Sequence, residues 1–139
     1  MWTYNEKEFT SDDIGNYIGF VYEITDKENG KKYIGKKKFK STRRLKALKG
    51  KKRKRTVIKE SDWKTYCGSN DQIKVLVEDV GLDRFDRKII RLCLKLGEMS
   101  YHEAKLQFDK EVLLSDDYYN AFIGCKIHAS HVKHLRLDN

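Results

Sequence analysis

The chain has 139 residues, 39% of them hydrophobic, and carries 30 Lys and Arg against 21 Asp and Glu, a formal net charge of +9. That length suits one domain, residues 1–139, able to bury a core without disulfides, and the 16 aromatic residues argue against a disordered chain. The absence of proline excludes polyproline recognition motifs, and no apolar run approaches the ~18 residues of a membrane span.

The N-terminal Met-Trp-Thr-Tyr-Asn-Glu-Lys-Glu lacks the basic-then-apolar plan of a secretory leader and reads as a polar lead-in that packs on the domain. Gly19-Phe-Val-Tyr-Glu-Ile-Thr25 is rich in β-branched and aromatic residues and predicts a strand. Asn29-Gly30 follows, a dipeptide that tolerates positive φ and marks a hairpin, with Lys31 to Gly35 as the returning strand. Between Lys36 and Arg55, 13 of 20 residues are basic and none is acidic, whereas the rest of the chain is slightly acidic. Such a block attracts a polyanion and makes the binding salt-dependent. It lacks the broad apolar face of a membrane-lying helix. A short helix is expected around Thr42 to Leu48, and a loop from Lys49 to Lys59. Asn70 caps a helix from Asp71 whose Ile73, Leu76, Val77 and Val80 share one face, and Gly81 ends it. Phe85 to Leu94 predicts a third strand, with Ile89-Ile90 suggesting burial on both faces. A second helix is expected from Ser100, with Tyr101, Ala104, Phe108 and Val112 on its apolar side and Ser100-x-x-Glu103 as a capping box. The fold class is therefore α+β, a small α/β domain with a three-stranded antiparallel sheet flanked by helices. The three cysteines, Cys67, Cys93 and Cys125, are odd in number and scattered, as in a reduced cytoplasmic protein. Cys125, His128, His131 and His134 recur every three residues, a spacing that drifts around a helix and suits surface residues better than a zinc site.

Two strands bearing tyrosine meet in the hairpin, as Phe20-Val21-Tyr22 and Tyr33-Ile34-Gly35. With Asn29-Gly-Lys-Lys before the second tripeptide, the pattern resembles the GIY-YIG endonuclease superfamily. The first tripeptide departs from it, with Phe20 in place of Gly and Val21 in place of Ile. Tyr17-Ile18-Gly19 also spells the second tripeptide, but it precedes the first strand instead of following the turn. The resemblance runs from about Ile18 to Asn120. It is nearest to small phage endonucleases of the Seg-like group, through Lys-Lys-Tyr-Ile-Gly-Lys-Lys, the basic loop, Ser-Asp-Trp and the late Glu-Ala-Lys.

What the resemblance implies is a GIY-YIG nuclease-like fold and a metal-dependent DNA endonuclease, phage-encoded and free-standing, in the host cytoplasm. It implies Tyr22, Tyr33, Arg43, Glu103 and Asn120 as catalytic residues. Glu103 is the implied ligand of Mg²⁺ or Mn²⁺, and Tyr22 the tyrosine that activates water. A free phenol is a poor base at neutral pH unless cations depress it, and Lys31, Lys32, Lys36 and Lys37 are close enough in sequence to do so. Arg53 or Arg55 on a longer loop is the alternative to Arg43. Many members carry a histidine one turn after the arginine, where this chain has Ala47. The DNA-contacting segment, residues 36–59, offers Lys36, Lys37, Lys38, Arg43, Arg44, Lys51, Lys52, Arg53, Lys54 and Arg55 to phosphates. The partner is DNA, with no membrane, and the oligomeric state, a homo-oligomer included, is left open. Each residue also has a structural reading: cross-strand packing for the tyrosines, a cap for Glu103, a turn for Asn120, the core for Trp63 and Tyr66. A non-catalytic DNA-binding module is the alternative function.

Overall fold

The computed structural model describes residues 1–53, 55–124 and 126–135; Lys54 and Cys125 lie outside them. The expected lead-in forms strands. β1 (Trp2–Tyr4) pairs antiparallel with the short β2 (Lys7–Glu8). Trp2 is the reason the N-terminus joins the sheet. Its ring meets Phe20 edge-on at 4.9 Å, and its Nε1 donates to the Trp63 carbonyl at 2.6 Å.

β3 (Gly19–Asp26) and β4 (Lys32–Lys38) form the expected hairpin, in register Tyr22↔Gly35 and Ile24↔Tyr33. Only Gly30 of the Asn-Gly pair takes positive φ, at 75°. Asn29 acts instead through its side chain, accepting from the Lys31 N–H and donating to the Tyr119 hydroxyl, both at 2.9 Å.

The basic segment differs from expectation. Its described residues form no helix; β5 (Lys40–Leu45) and β6 (Arg55–Glu60) pair antiparallel as a separate two-stranded ribbon. The apolar anchors between Thr42 and Leu48 are too few to hold an amphipathic helix against the core. Thr56-Val57-Ile58 instead supplies β-branched residues opposite Thr42 to Arg44.

α1 (Asp71–Val80) starts as predicted, with Asn70 Oδ1 accepting from the Ile73 N–H at 3.2 Å, and ends at Gly81 with φ 85°. β7 (Phe85–Cys93) is the third strand, antiparallel to β3 and parallel to β1, which gives the mixed order β2-β1-β7-β3-β4. Ile89 is buried but Ile90 is 39% exposed, so burial on both faces does not hold there.

α2 (Leu96–Asp109) starts four residues earlier than Ser100. Glu98, at its third position, accepts at 3.1 Å from the N–H of Leu94 just outside the helix, and the Met99 N–H already bonds the Lys95 carbonyl at 3.1 Å, so the helix is under way before Ser100 is reached. The expected Ser100–Glu103 capping box does not form. The earlier start also turns the helix. Met99, Ala104 and Gln107 are buried, while Phe108 is 63% exposed. Val112 is buried just beyond the helix. The short α3 (Ala129–Val132) follows, packed near α2.

Alternation along β3 places the core. Phe20, Tyr22 and Ile24 face one side, with Trp2, Phe39, Trp63 and Ile73. Val21 faces the other, with Ile34, Cys93, Met99 and Val112. Because β3 is covered on both faces, its residues are nearly all buried despite the period of two.

Candidate active site

β4 is the last strand of the five-stranded sheet, and its outer edge would offer unpaired backbone groups to water. The segment after α2 covers it. The Lys32 N–H donates to the Asp117 carbonyl at 2.8 Å, and the Tyr119 N–H to the Lys32 carbonyl at 2.7 Å. One step further along, Asn120 replaces backbone with side chain. Its Oδ1 accepts from the Ile34 N–H at 3.1 Å, and its Nδ2 donates to the Ile34 carbonyl at 2.8 Å, shared with Gln107 Nε2 at 3.0 Å. Asn120 thus holds the middle residue of Tyr33-Ile34-Gly35 by both backbone groups.

Beside this edge opens a cleft of ≈660 Å³ whose lining includes Tyr33, Lys36, Ser69, Glu103, Gln107 and Asn120. β4 contributes Tyr33 and Lys36. α2 contributes Glu103 and Gln107, four residues apart and so on one helix face. The Glu103 side chain is 14% exposed, and Lys36 Nζ lies 3.9 Å from its Oε1 and 2.7 Å from Ser100 Oγ. Burial raises the Glu103 carboxyl above its ordinary range, with Lys36 pulling the other way. Since α2 begins at Leu96, capping does not engage Glu103. Its carboxylate faces a polar cleft with one cation beside it.

The Tyr33 hydroxyl shares a hydrogen bond with Ser69 Oγ at 2.9 Å, and its ring lies against Gly68. Tyr22 sits one layer deeper, 1% exposed, its ring 6.3 Å from Tyr33 and 6.0 Å from Tyr66. It accounts for Gly35. A Cβ there would lie 2.6 Å from the Tyr22 ring carbon Cζ, so only glycine lets the ring cross β4. Burial pushes the Tyr22 phenol well above its ordinary value, and the Tyr66 and Tyr33 phenols and Glu103 add to the rise. Tyr33 is raised too, chiefly by burial. The expectation that lysines depress the Tyr22 phenol is therefore corrected. The nearest charge effects come from phenols and a carboxylate, which oppose ionisation.

Of the residues expected to act together, Tyr33, Glu103 and Asn120 meet at the cleft, with Tyr22 behind them. Arg43 is not among the lining residues. It lies on exposed β5 opposite Val57, and Arg55 lies on the same ribbon. Lys36 is the cation beside Glu103; its signal in the sequence was its place directly after Tyr-Ile-Gly. Gln107, Ser69 and the 78% exposed Phe122 at the cleft were not anticipated. Gln107 could have been found from its spacing of four from Glu103. Among the described residues no cluster of three His, Cys, Asp or Glu is placed to hold a metal ion. His134 pairs with Glu98 at 3.1 Å and His128 caps α3, while Cys125 lies outside the described residues.

Residues 2–123 match the family model described as "Putative endonuclease segE, GIY-YIG domain". The chain belongs to this GIY-YIG family. No curated protein and no solved structure matches it. Membership implies a nuclease and makes DNA the implied substrate. Among the described residues no helix is long and apolar enough to cross a membrane.

Proposed function

We propose that this GIY-YIG domain is a metal-dependent DNA endonuclease that hydrolyses phosphodiesters in the cleft beside β4. The observation that carries the reading is Glu103: a mostly buried carboxylate, not used as a helix cap, sharing a polar cleft with Tyr33, Lys36 and Asn120. A single carboxylate of this kind fits a Mg²⁺ or Mn²⁺ ion that keeps most of its waters. When bound there, such an ion supplies Lewis-acid neutralisation of the phosphoryl oxygens.

The remaining work falls to the chain's own groups. Lys36 adds a fixed cation against the phosphate. The Tyr33 hydroxyl, oriented by Ser69, donates to a phosphoryl oxygen or orients the attacking water as a neutral phenol. Tyr22 acts as a neutral hydroxyl and as the wall that keeps Gly35 and Tyr33 in place. Asn120 is a positioning residue, because its polar atoms are spent on the Ile34 backbone. Arg43 contacts DNA outside the cleft.

Cleavage of plasmid or branched DNA with Mg²⁺ or Mn²⁺, and none with EDTA, tests the reading. Glu103→Gln is expected to abolish cleavage and leave DNA affinity nearly unchanged. Cleavage by the Gln variant at the parent rate would overturn it. A non-catalytic DNA-binding module would bind DNA and never cut under any metal.

A further inference from the structure

The ribbon formed by β5 and β6 has no evident reason to be ordered by its own contacts. Every strand position except Leu45 is exposed, and the ribbon makes a sheet separate from the central one. A lone two-stranded hairpin is marginal in water. What holds this one is its base. Phe39 and Trp63 are fully buried, the Ser61 N–H donates to the Phe39 carbonyl at 2.7 Å, and Glu60 Oε1 accepts from Ser11 Oγ at 2.6 Å and Trp63 Nε1 at 2.7 Å. From that anchor the six-residue strands project about 20 Å.

The register sorts its side chains. Directly opposed residues share a face, and faces alternate along each strand. One face carries Ser41 with Lys59, Arg43 with Val57, and Leu45 with Arg55; it has three cations and no acid. The other carries Lys40 with Glu60, Thr42 with Ile58, and Arg44 with Thr56, and its two cations are offset by Glu60. Lys36 ties the ribbon to the Glu103 cleft. It lines that cleft and also a second groove, with Lys37, Lys38, Lys40 and Lys59 beside Glu60 and Asp62, that runs to the ribbon's base. Asp62 pairs with Lys37 at 2.6 Å, and the lysines outnumber the two carboxylates, so a polyanion seated at Glu103 meets a net cationic path onto the ribbon.

We propose that the ribbon is a groove-entering arm that lies in the major groove of duplex DNA with the Arg43, Arg55 and Lys59 face inward. The proposal rests on the nuclease reading for its choice of DNA. A B-form major groove, about 12 Å wide, admits a two-stranded ribbon, and arginine suits both phosphate and the guanine edge displayed there. The arm makes duplex, rather than single-stranded, DNA the preferred substrate.

The test is binding of a labelled duplex to the full chain in EDTA across a salt series, so that cleavage does not intervene. Two variants remove equal charge from opposite faces: Arg43→Gln and Arg44→Gln. Both sites are exposed, and unchanged melting temperatures verify the fold. The first variant is expected to weaken binding about 3-fold or more and to reduce the slope of log K against log[salt] by about 1, since each phosphate contact contributes roughly 0.9. The second variant is expected to change affinity less than about twofold. In the parent complex, guanine N7 in the major groove is expected to be protected from methylation, and Arg43→Gln is expected to weaken that protection. Equal losses from both faces, no loss from the first, or protection confined to the minor groove would overturn the arm, as would equal affinity for single strands. The nuclease reading fails separately, if the parent chain protects the groove yet never cuts with Mg²⁺ or Mn²⁺.

Discussion

At the scale of residues, Glu103 sets function against stability. Its carboxyl is raised by burial, so the folded chain holds that proton more tightly than the unfolded chain does. Stability contributed by the protonated form is then lost as pH rises from the ordinary glutamate range through the raised value. At neutral pH the ionised, desolvated group is a burden. Glu103→Gln is expected to raise the melting temperature at pH 7 while cutting cleavage by about 100-fold or more, read by calorimetry beside a plasmid assay. The same shift predicts an acid limb in the rate at subsaturating metal, where the ion and the proton compete for Glu103, with its midpoint above that of an ordinary glutamate. Lys36 pulls that carboxyl down, so Lys36→Gln is expected to move the midpoint to higher pH as well as to slow cleavage. A pH–rate profile of both proteins checks this, and an unmoved midpoint would separate Glu103 from the rate. Gly35→Ala places a methyl against the Tyr22 ring and is expected to destabilise by about 1–3 kcal/mol and to impair cleavage, since Tyr33 is packed on Tyr22.

At the scale of elements, the hairpin is locked from two sides. Asp26 at the end of β3 is fully buried. It takes Arg84 Nε at 2.8 Å and Nη2 at 2.9 Å, the Tyr119 hydroxyl at 2.7 Å, and the Glu28 N–H at 3.0 Å. Opposing the burial penalty, the Arg84 and Tyr119 hydrogen bonds hold its carboxyl at about 2. The depressed value means that its contribution is present above the ordinary aspartate range and is lost as pH falls toward 2. Asp26→Ala removes the buried acceptor shared by Arg84, the Tyr119 hydroxyl and the Glu28 N–H, leaves Arg84 its Glu28 partner at 3.1 Å, and is expected to cost about 1–3 kcal/mol in denaturant unfolding. A value below about 1 kcal/mol would remove the lock from the account. Tyr119 joins this lock to the segment that carries Asn120, so the turn that begins β4 and the residue that grips its middle are fixed together. The sequence displayed the turn, because Asn-Gly is a local signal. It did not display the lock, whose partners lie 58 and 93 residues away.

At the scale of the molecule, the N-terminus reaches across to the ribbon. Trp2 sits on β1, packs on Phe20 and Tyr22, and donates to the backbone of Trp63, which in turn holds Glu60 at the end of β6. Trp2→Ala is expected to lower stability by about 3–5 kcal/mol, measured from the denaturant midpoint. An effect under about 1 kcal/mol would show that β1 is not part of the folded unit. The order of β1 and β7 beside the hairpin also explains why Tyr22 is deep and Tyr33 shallow: β3 has a neighbour on each side, β4 only the segment at Asn120.

The sequence by itself determined the local features: the Tyr22 and Tyr33 hairpin, the Asn70 cap and Gly81 stop of α1, the strand at Phe85, the cationic block, and the ordered motif that places the chain among GIY-YIG nucleases. Each of these depends on neighbours a few residues apart or on residue type alone. Tertiary structure decided the rest. Whether Glu103 caps a helix or faces a cleft depended on where α2 starts, and it starts at Leu96, with the Met99 N–H bonded to the Lys95 carbonyl. Whether the basic block is helix, loop or ribbon depended on a pairing between Lys40–Leu45 and Arg55–Glu60 that is anchored in the core by Phe39 and Trp63. That pairing moved Arg43 away from Glu103 and left Lys36 as its cation. The raised Tyr22 phenol follows from burial beneath β4, which composition and spacing could not show, because burial is a property of what the folded chain brings around a residue.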